Sequence, residues 1–285
     1  MTRLSDAAHV GAVRLQVGNL ARSLEFYRGL LGFTLLSSDE SRAALGAPGS
    51  RRALVELVEQ QGAKPVRPHS RLGLYHFAVL VPDRPALGRA LLHLHRNRVA
   101  LGMADHLVSE ALYLSDPDGL GIEIYRDRPR EEWRREGGGV AMATDRLDVE
   151  GVAAAAAGAG WTEMPAGTVI GHVHLHVGEL AAAEEFYSRA VGFDVVTRAY
   201  PGALFLSAGG YHHHLGVNTW ARGAPTPAPD EAQLLHWELV AGDTAEVGSL
   251  RSRLESAAAA ILPGGDDRGF TVRDPSGTAM RVVAR

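Results

Sequence analysis

The chain of 285 residues contains no cysteine and few aromatic residues, which make up 6% of the sequence. Without cysteine, disulfides, zinc–thiolate sites and cysteine nucleophiles are excluded, so any metal must be held by histidine, aspartate or glutamate. The sequence has no run of about 18 apolar residues, and residues 1–8 lack the apolar segment of a signal peptide. We therefore expect a cytoplasmic protein that has no membrane partner.

The chain also has no large excess of charge of one sign, because it contains 29 basic and 33 acidic residues and its formal net charge is -4. The basic cluster from Arg126 to Arg135 is interleaved with acidic residues, which is typical of a solvated surface. A nucleic-acid partner is therefore not expected, since it would require a basic patch or stripe. Hydrophobic residues make up 46% of the chain, which is enough for a sizeable core and about two domains.

An internal repeat organises the chain. The segment HVGAVRLQVGNLARSLEFYRGLLGF begins at His9, and VIGHVHLHVGELAAAEEFYSRAVGF begins at Val169, and the two align without a gap. Each copy starts with alternating apolar residues, which predict a strand, and continues with apolar spacing that predicts an amphipathic helix. Gly32 and Gly192 follow these helices at the place where a C-terminal capping glycine is expected.

Two weaker copies begin at Leu74 and Leu234, and each ends in a hairpin whose turn reads Asp-Pro-Asp-Gly or Asp-Pro-Ser-Gly. We therefore predict an α+β fold of four βαβββ modules that form two cup-shaped mixed β-sheets with flanking helices. The modules span about 9–60, 71–127, 168–221 and 232–285. The predicted division is 1–127 for modules one and two, 128–167 for a linker with a short helix, and 168–285 for modules three and four.

This arrangement resembles the vicinal oxygen chelate superfamily, which includes glyoxalases, bleomycin resistance proteins and extradiol dioxygenases. The motifs YHFAVLVP, DHLVSEALYLSDPDGLGIEIYRDRP and SAGGYHHHLGVNTW are most similar to its catechol 2,3-dioxygenase-like branch. The resemblance covers all four modules. It implies an iron(II) enzyme that opens the ring of a small aromatic diol with dioxygen. Because one fold hosts several chemistries, the site must be argued from its residues.

In this superfamily, metal ligands come from a fixed position on the first strand and on the last strand of a module. In the repeat register, these first-strand positions are Ala12, His76, His172 and His236, and the last-strand positions are Glu56, Glu123, Leu215 and Arg281. Only modules two and three together supply two histidines and a carboxylate, which are His76, His172 and Glu123. The resemblance therefore implies that these three bind the metal, with the active cup formed by modules two and three.

The resemblance also implies residues that handle protons. Extradiol enzymes place a histidine after the turn on the last strand of the module that lacks the glutamate, and His212 is the first histidine after Gly209-Gly210. They place a tyrosine ten residues before the metal glutamate, which matches Tyr113, and a further histidine upstream, for which His106 is the nearest match. His213 and His214 adjoin His212 and alternate in direction, so at least one of the three points away from the site.

Several alternatives stay open. Histidine and carboxylate ligands suit Mn(II), Zn(II) or Ni(II) as well as Fe(II). The chain could also be a glyoxalase-like isomerase or thiol transferase, although that chemistry prefers more carboxylates. A third alternative is a non-catalytic protein that binds a drug-sized molecule in an aromatic-rich cup. This fold commonly associates, so a homo-oligomer is a further expectation.

Overall fold

The computed structural model describes residues 3–136, 139–264 and 269–285. The strands are β1 (His9–Val17), β2 (Thr34–Ser38), β3 (Arg42–Gly46), β4 (Val55–Glu59), β5 (Gly73–Leu80), β6 (Gly102–Asp105), β7 (Ser109–Ser115), β8 (Gly121–Asp127), β9 (Arg135–Glu136), β10 (Gly139–Val140), β11 (Val169–His176), β12 (Asp194–Thr197), β13 (Ala203–Ser207), β14 (Leu215–Asn218), β15 (Gln233–Ala241), β16 (Ala260–Ile261), β17 (Gly269–Arg273) and β18 (Ala279–Ala284). The α-helices are α1 (Leu20–Leu24), α2 (Arg84–Arg96), α3 (Val149–Ala155), α4 (Leu180–Glu184) and α5 (Thr244–Ser256). A π-helical turn follows α1 at Glu25–Leu30 and another follows α4 at Glu185–Val191, and a 3-10 turn spans Arg130–Glu132.

Two eight-stranded sheets dominate the described part of the chain. The outer sheet has the order β16-β17-β18-β15-β1-β4-β3-β2, so it joins modules four and one. The inner sheet has the order β12-β13-β14-β11-β5-β8-β7-β6, so it joins modules three and two. The predicted fold class is therefore confirmed. Each sheet takes strands from both sides of the connector at 128–167, and the division into sequence domains stays a prediction.

The alternation read in the first strands corresponds to burial against the core. Val13, Leu15 and Val17 are fully buried on β1, as expected when every second side chain points to the packed face of a sheet. The helices that follow begin and end where their sequences indicate. The Asn19 side chain accepts a hydrogen bond from the backbone N–H of Arg22 at the start of α1. Gly192 ends the matching π-helical turn of module three with φ 103°, a left-handed conformation that favours glycine.

Paired tyrosine–aspartate contacts connect each odd-numbered module with the next. The Tyr27 hydroxyl donates to Asp116 Oδ2 at 3.0 Å, and the Tyr187 hydroxyl donates to Asp274 Oδ2 at 2.9 Å. Both aspartates begin the Asp-Pro turns of the closing hairpins, and both tyrosines are fully buried. Each contact therefore connects the helix beside one sheet with a hairpin of the other sheet.

We expect Tyr27→Phe and Tyr187→Phe each to lower the free energy of unfolding by about 1–3 kcal/mol, because each leaves a buried carboxylate without one donor. Burial raises the pKa of Asp116 to about 6. A carboxylate accepts a stronger hydrogen bond when ionised, so the loss in Tyr27→Phe should be larger at pH 8 than at pH 5. Urea denaturation at both pH values measures it. Tyr200→Phe is the control, since its hydroxyl contacts the exposed Thr144, and a change within about 0.5 kcal/mol is expected. Equal losses in all three variants would contradict the prediction.

The connector at 128–167 is partly ordered and includes the predicted short helix, α3. This helix packs on α2 of module two. A Cβ added to Gly88 of α2 would lie 2.3 Å from the Val152 carbonyl oxygen, so glycine is required for this close approach. In the described ranges, none of the helices has the length and apolar character needed to cross a membrane.

Candidate metal centre and cavity

Three predicted ligands lie together on the central strands of the inner sheet. His76 is on β5, Glu123 on β8 and His172 on β11, and these three strands are neighbours. The register places both His172 and Glu123 beside Ala78, one on each side. His76 is two residues before Ala78 on the same strand, and residues two apart point to the same face. The strand pairing therefore directs all three side chains to one face of the sheet.

The distances within this set suit a metal ion. His76 Nε2 and His172 Nε2 each lie 3.0 Å from Glu123 Oε2. The three ligand atoms lie within 4.8 Å of one another, and all three residues are buried. In the part of the chain that the structure describes, no other set of three histidine, cysteine, aspartate or glutamate residues is arranged in this way.

The chemistry of the donor set also fits a divalent cation. His76 Nε2 is buried and makes no hydrogen bond, although it faces the Glu123 carboxylate. Burial alone would raise the pKa of Glu123, but the electrostatic attraction and hydrogen bond of His172 hold it well below its ordinary value. Burial lowers the pKa of His76. A neutral imidazole beside an ionised carboxylate is the protonation state that metal ligation requires.

A cavity of about 360 Å³ opens onto the three ligands. It is lined by Tyr75, His76, Gly102, Met103, Ala104, His106, Tyr113, Glu123, Met142, Ala143, Thr144, His172, His174, Tyr200, Phe205, His213 and Trp220. This volume lies in the range of small-molecule sites. Residues 142–144 come from the connector, so the segment predicted as a linker contributes a wall of the cavity.

Tyr113 and His106 form a hydrogen-bonded pair at this cavity. The antiparallel pairing of β7 with β8 places Tyr113 directly opposite Glu123, which explains why the ten-residue spacing brings them together. The Tyr113 hydroxyl lies 2.6 Å from His106 Nε2, and His106 Nδ1 lies 2.6 Å from the Ala143 carbonyl oxygen. Since a carbonyl only accepts, His106 Nδ1 donates to Ala143, and in the neutral ring Nε2 accepts from Tyr113. Burial and the nearby Glu123 charge raise the pKa of Tyr113 well above its ordinary value.

The histidine triplet is divided among three environments. His213 lines the cavity, with its ring centroid 4.1 Å from that of His172. His212 does not line it. Its ring is fully buried, its Nε2 lies 2.8 Å from Asp127 Oδ1, and its Nδ1 lies 2.8 Å from His213 Nδ1. His214 accepts a hydrogen bond at Nδ1 from the backbone N–H of Ala208. The geometry therefore favours His213 over the predicted His212 as the residue that meets a bound molecule.

Other cavity residues had no assigned role in the sequence. His174 stands beside the ligands, where its Nε2 lies 3.0 Å from the Asn218 amide nitrogen. A Cβ at Gly216 would approach the His174 ring to 2.9 Å, so the missing side chain makes room for that ring. Trp220 is 39% exposed at the wall of the cavity, and its ring centroid is 5.5 Å from that of Tyr75. Isolated aromatic residues carry no sequence signal for such a position.

The outer sheet has a different set at the equivalent positions. There the register pairs Glu238 with Arg281, as it pairs Ala78 with Glu123 in the inner sheet. Arg281 therefore occupies the place that Glu123 has in the inner sheet, and its Nε lies 3.8 Å from Glu238 Oε1. Burial, with Arg14 and Arg281 nearby, lowers the pKa of His236 to about 4. The outer sheet therefore has a guanidinium where the inner sheet has a carboxylate. A guanidinium at this position would repel a metal cation.

The fold and this ligand set define a protein built from paired βαβββ modules around a candidate metal centre. The chain matches the family model described as Glyoxalase/Bleomycin resistance protein/Dioxygenase superfamily over residues 8–124 and 169–282. It belongs to this superfamily, as the sequence motifs predicted.

Similar proteins agree with this assignment. A catechol-2,3-dioxygenase of Bacillus subtilis (strain 168) is 43% identical over 288 residues, which cover 99% of this chain and all of the relative. The prediction of a dioxygenase enzyme is confirmed by that similarity. A solved B. subtilis structure, provisionally named a dioxygenase, superposes with a TM-score of 0.67 at 15% identity, over 99% of this chain and 86% of that one. A mutant of glyoxalase I from Zea mays superposes with a TM-score of 0.59 at 16% identity, over 98% of this chain and 94% of that one. At these low identities, both structures support the fold alone.

Proposed function

We propose that this protein is an iron(II)-dependent extradiol dioxygenase that cleaves a catecholic ring beside its two hydroxyls. The observation that carries the proposal is the buried set of His76, His172 and Glu123 facing a cavity that also contains Tyr113 and His213. Two histidines and one carboxylate on one face of an iron(II) ion leave positions free for other ligands. The similarity to a protein named catechol-2,3-dioxygenase supports the aromatic diol and dioxygen as the two substrates.

The three ligands would hold the metal at a buried position, since each of them is at most 4% exposed. Iron(II), when bound there, would supply adjacent positions for the two diol oxygens and for dioxygen, which lowers the entropic cost of their meeting. Tyr75, Phe205 and Trp220 line the same cavity and would offer aromatic surface to a bound ring. The Glu123 charge offsets part of the cation's charge in this buried setting.

His213 would accept a proton from a catechol hydroxyl. In the neutral tautomer in which His212 donates from Nε2 to Asp127, its Nδ1 accepts from Nδ1 of His213. His213 then has an unprotonated Nε2, which is the form a base requires. Burial lowers the pKa of His213 well below its ordinary value and favours this neutral form. His212, predicted to be the acid or base itself, would act through His213 as a positioning residue.

Tyr113 and His106 would form the second proton-handling pair. Tyr113 is opposite Glu123 in the strand register, and its hydroxyl is hydrogen-bonded to His106 Nε2. The Tyr113 hydroxyl has one proton, so it would donate either to His106 or to an oxygen of the bound substrate, and His106 orients it until the substrate is bound. Because burial keeps Tyr113 protonated, it serves as a donor and not as a base.

The alternatives receive less support from the site. The ligand set contains a single carboxylate, whereas glyoxalase chemistry prefers more, and Tyr113 and His213 would have no task in it. A non-catalytic binding protein would need no buried ligand set. Mn(II), Zn(II) and Ni(II) also accept histidine and carboxylate ligands, so they belong in the test.

The test is reconstitution of the metal-free protein under anaerobic conditions with Fe(II), Mn(II), Zn(II) or Ni(II) in parallel. Each sample is then exposed to air and catechol, and the yellow ring-opened product and the oxygen consumption are measured. We expect one metal ion per chain and product formation with iron(II), and no product in His172→Ala. Stoichiometric iron binding without product or oxygen uptake from any catechol would overturn the proposal. Turnover only with another metal would overturn the assignment of iron.

A further inference from the structure

A second cavity adjoins the metal cavity and is larger, at about 660 Å³. The two share the wall residues Tyr75, His76, Gly102 and Tyr113. The Tyr75 ring centroid lies 4.8 Å from that of His76, which also lines both cavities, and 4.9 Å from that of His176, which lines the second cavity. The two cavities therefore adjoin at Tyr75, and a substituent on a ring at the metal ligands would pass beside this residue to reach the second cavity.

The walls of the second cavity are mainly apolar. They include Leu72, Leu74, Val99, Leu101, Leu114 and Leu234. Two polar side chains of the lining are already paired, because Arg71 Nε donates to Glu231 Oε2 at 2.7 Å and His176 Nδ1 lies 2.7 Å from Asn218 Oδ1. A third, His69, is exposed. The remaining cation of the lining, Arg67, is exposed. Burial in this cavity would therefore favour a neutral hydrocarbon group over an anionic one.

The size of the space also argues for a substituted substrate. Sites for small molecules range from about 300 to 1,000 Å³, so the metal cavity alone is sufficient for a catechol ring. The second cavity would be unused by unsubstituted catechol. An alkyl or aryl group on the ring would instead exchange water for apolar walls, which favours binding in proportion to the area buried.

We propose that the preferred substrate is a catechol with an apolar substituent of several carbons, whose ring lies at the metal ligands and whose substituent occupies the cavity beyond Tyr75. This inference rests on the proposed function, since it places the ring at that site. Each methylene that enters the cavity should raise kcat/KM about fourfold, because this factor corresponds to the free energy gained when one methylene is fully buried. The increase should stop when the cavity is filled.

The experiment compares catechol with the 3-alkyl and 4-alkyl series from methyl to hexyl, using the iron(II) holoenzyme. Anaerobic calorimetry measures the affinity for each compound, and oxygen consumption measures kcat/KM. We expect both quantities to rise with chain length in at least one series. A flat or falling dependence in both series would overturn the inference. A catechol whose substituent ends in a carboxylate is also tested. If the affinity and kcat/KM rise only for that compound, the specificity would be assigned to Arg67 and the proposal of an apolar substituent would be contradicted.

Leu101→Trp should reduce the cavity volume and lower the ratio of kcat/KM for hexylcatechol to that for catechol by about tenfold or more, given a factor of about four for each displaced methylene. The matched control is Ile261→Trp, which occupies the equivalent place after α5 and lies in the outer sheet. That control should leave the ratio unchanged. Leu72→Trp, from another segment of the wall, is the second variant if Leu101→Trp does not fold. An unchanged ratio in folded wall variants would contradict the inference.

The two proposals fail in different ways. Catechols that bind with rising affinity along the series but are never cleaved would overturn the proposed function and leave only a binding preference for apolar substituents. Cleavage of catechol with no dependence on the substituent would overturn the preference and leave the ring-cleavage function standing.

Discussion

Replacement of Glu123 by glutamine should lower the affinity for iron(II) by more than about a hundredfold, since even residues behind metal ligands cost about 10- to 100-fold when mutated. Glu123 is the anionic member of the ligand set, and its Oε2 lies 3.0 Å from both imidazole nitrogens. Glutamine has a similar shape but no charge, so the bound cation would lose its compensating carboxylate. Competition with a chelator measures the affinity, and oxygen consumption with catechol should fall in parallel at limiting iron.

The matched control is Glu56→Gln in the outer sheet. Glu56 is paired with Arg14 in the register of β1 and β4, as Glu123 is paired with Ala78 in the inner sheet. Its side chain is 36% exposed and its Oε2 lies 3.8 Å from Arg14 Nη1. We expect iron affinity and activity to stay near those of the parent protein. An equal effect in both variants would show that charge in general, and not this position, governs metal binding.

His213→Asn should lower kcat by about 10²- to 10⁴-fold, the usual contribution of a positioned acid or base, while one iron ion per chain is retained. The ring of His213 lines the cavity beside His172, and it is not a member of the ligand set. Asparagine removes the basic nitrogen while it keeps a polar group close to the backbone. Iron content and single-turnover product formation measure the two effects separately.

His214→Asn is the control for this variant. The side-chain carbonyl oxygen of the new asparagine can accept the hydrogen bond that His214 Nδ1 accepts from the Ala208 N–H. We expect kcat within a few-fold of the parent value for it. His212→Asn tests the positioning role, and its effect on kcat should lie between the other two. A large loss in His212→Asn together with full activity in His213→Asn would restore the original sequence prediction and refute the assignment from geometry.

The fold could be predicted because the same packing constraint acts on each module. Every first strand must bury one face, so the alternation at Val13 and Val173 is visible in the sequence. The turn chemistry of Asp-Pro-Asp-Gly and Asp-Pro-Ser-Gly marks the closing hairpins for the same reason. The second role of those aspartates as acceptors for Tyr27 and Tyr187 was not predictable, because the contacts join segments that are distant in the chain.

The candidate ligands could be named because the superfamily resemblance supplies fixed strand positions, and among the modules only the second and third provide a carboxylate and two histidines. The register of module three shows where this reasoning is less accurate. The alignment places Leu215 at the last-strand position, whereas the pairing of β11 with β14 places Gly216 opposite His174. The segment before β14 contains the extra histidines, so a turn of different length displaces the alignment by one residue.

The choice between His212 and His213 could not be made from sequence for a related reason. Both precede β14 and lie outside the regular strand, so the alternation of faces does not apply to them. A change of one residue in position moves a side chain to the opposite face of a sheet. The position of Trp220 likewise depends on a loop after β14, where no periodic pattern constrains the direction of a side chain.

The nested connectivity of the two sheets has a consequence for synthesis and truncation. In the inner sheet Leu80 pairs with Val169, whereas in the outer sheet His9 pairs with Val240. A longer loop costs only about 0.6 kcal/mol for each doubling of its length. The entropic cost of closing the chain therefore differs little between the two sheets. Their order of completion differs more, because the inner sheet needs no residue beyond Asn218 and the outer sheet needs both ends of the chain. The residues of the candidate active site are thus all synthesised before the last module. A shortened C terminus would affect the site through the contacts of β15 with β5, the Tyr187–Asp274 hydrogen bond and the contacts of β1 with β11.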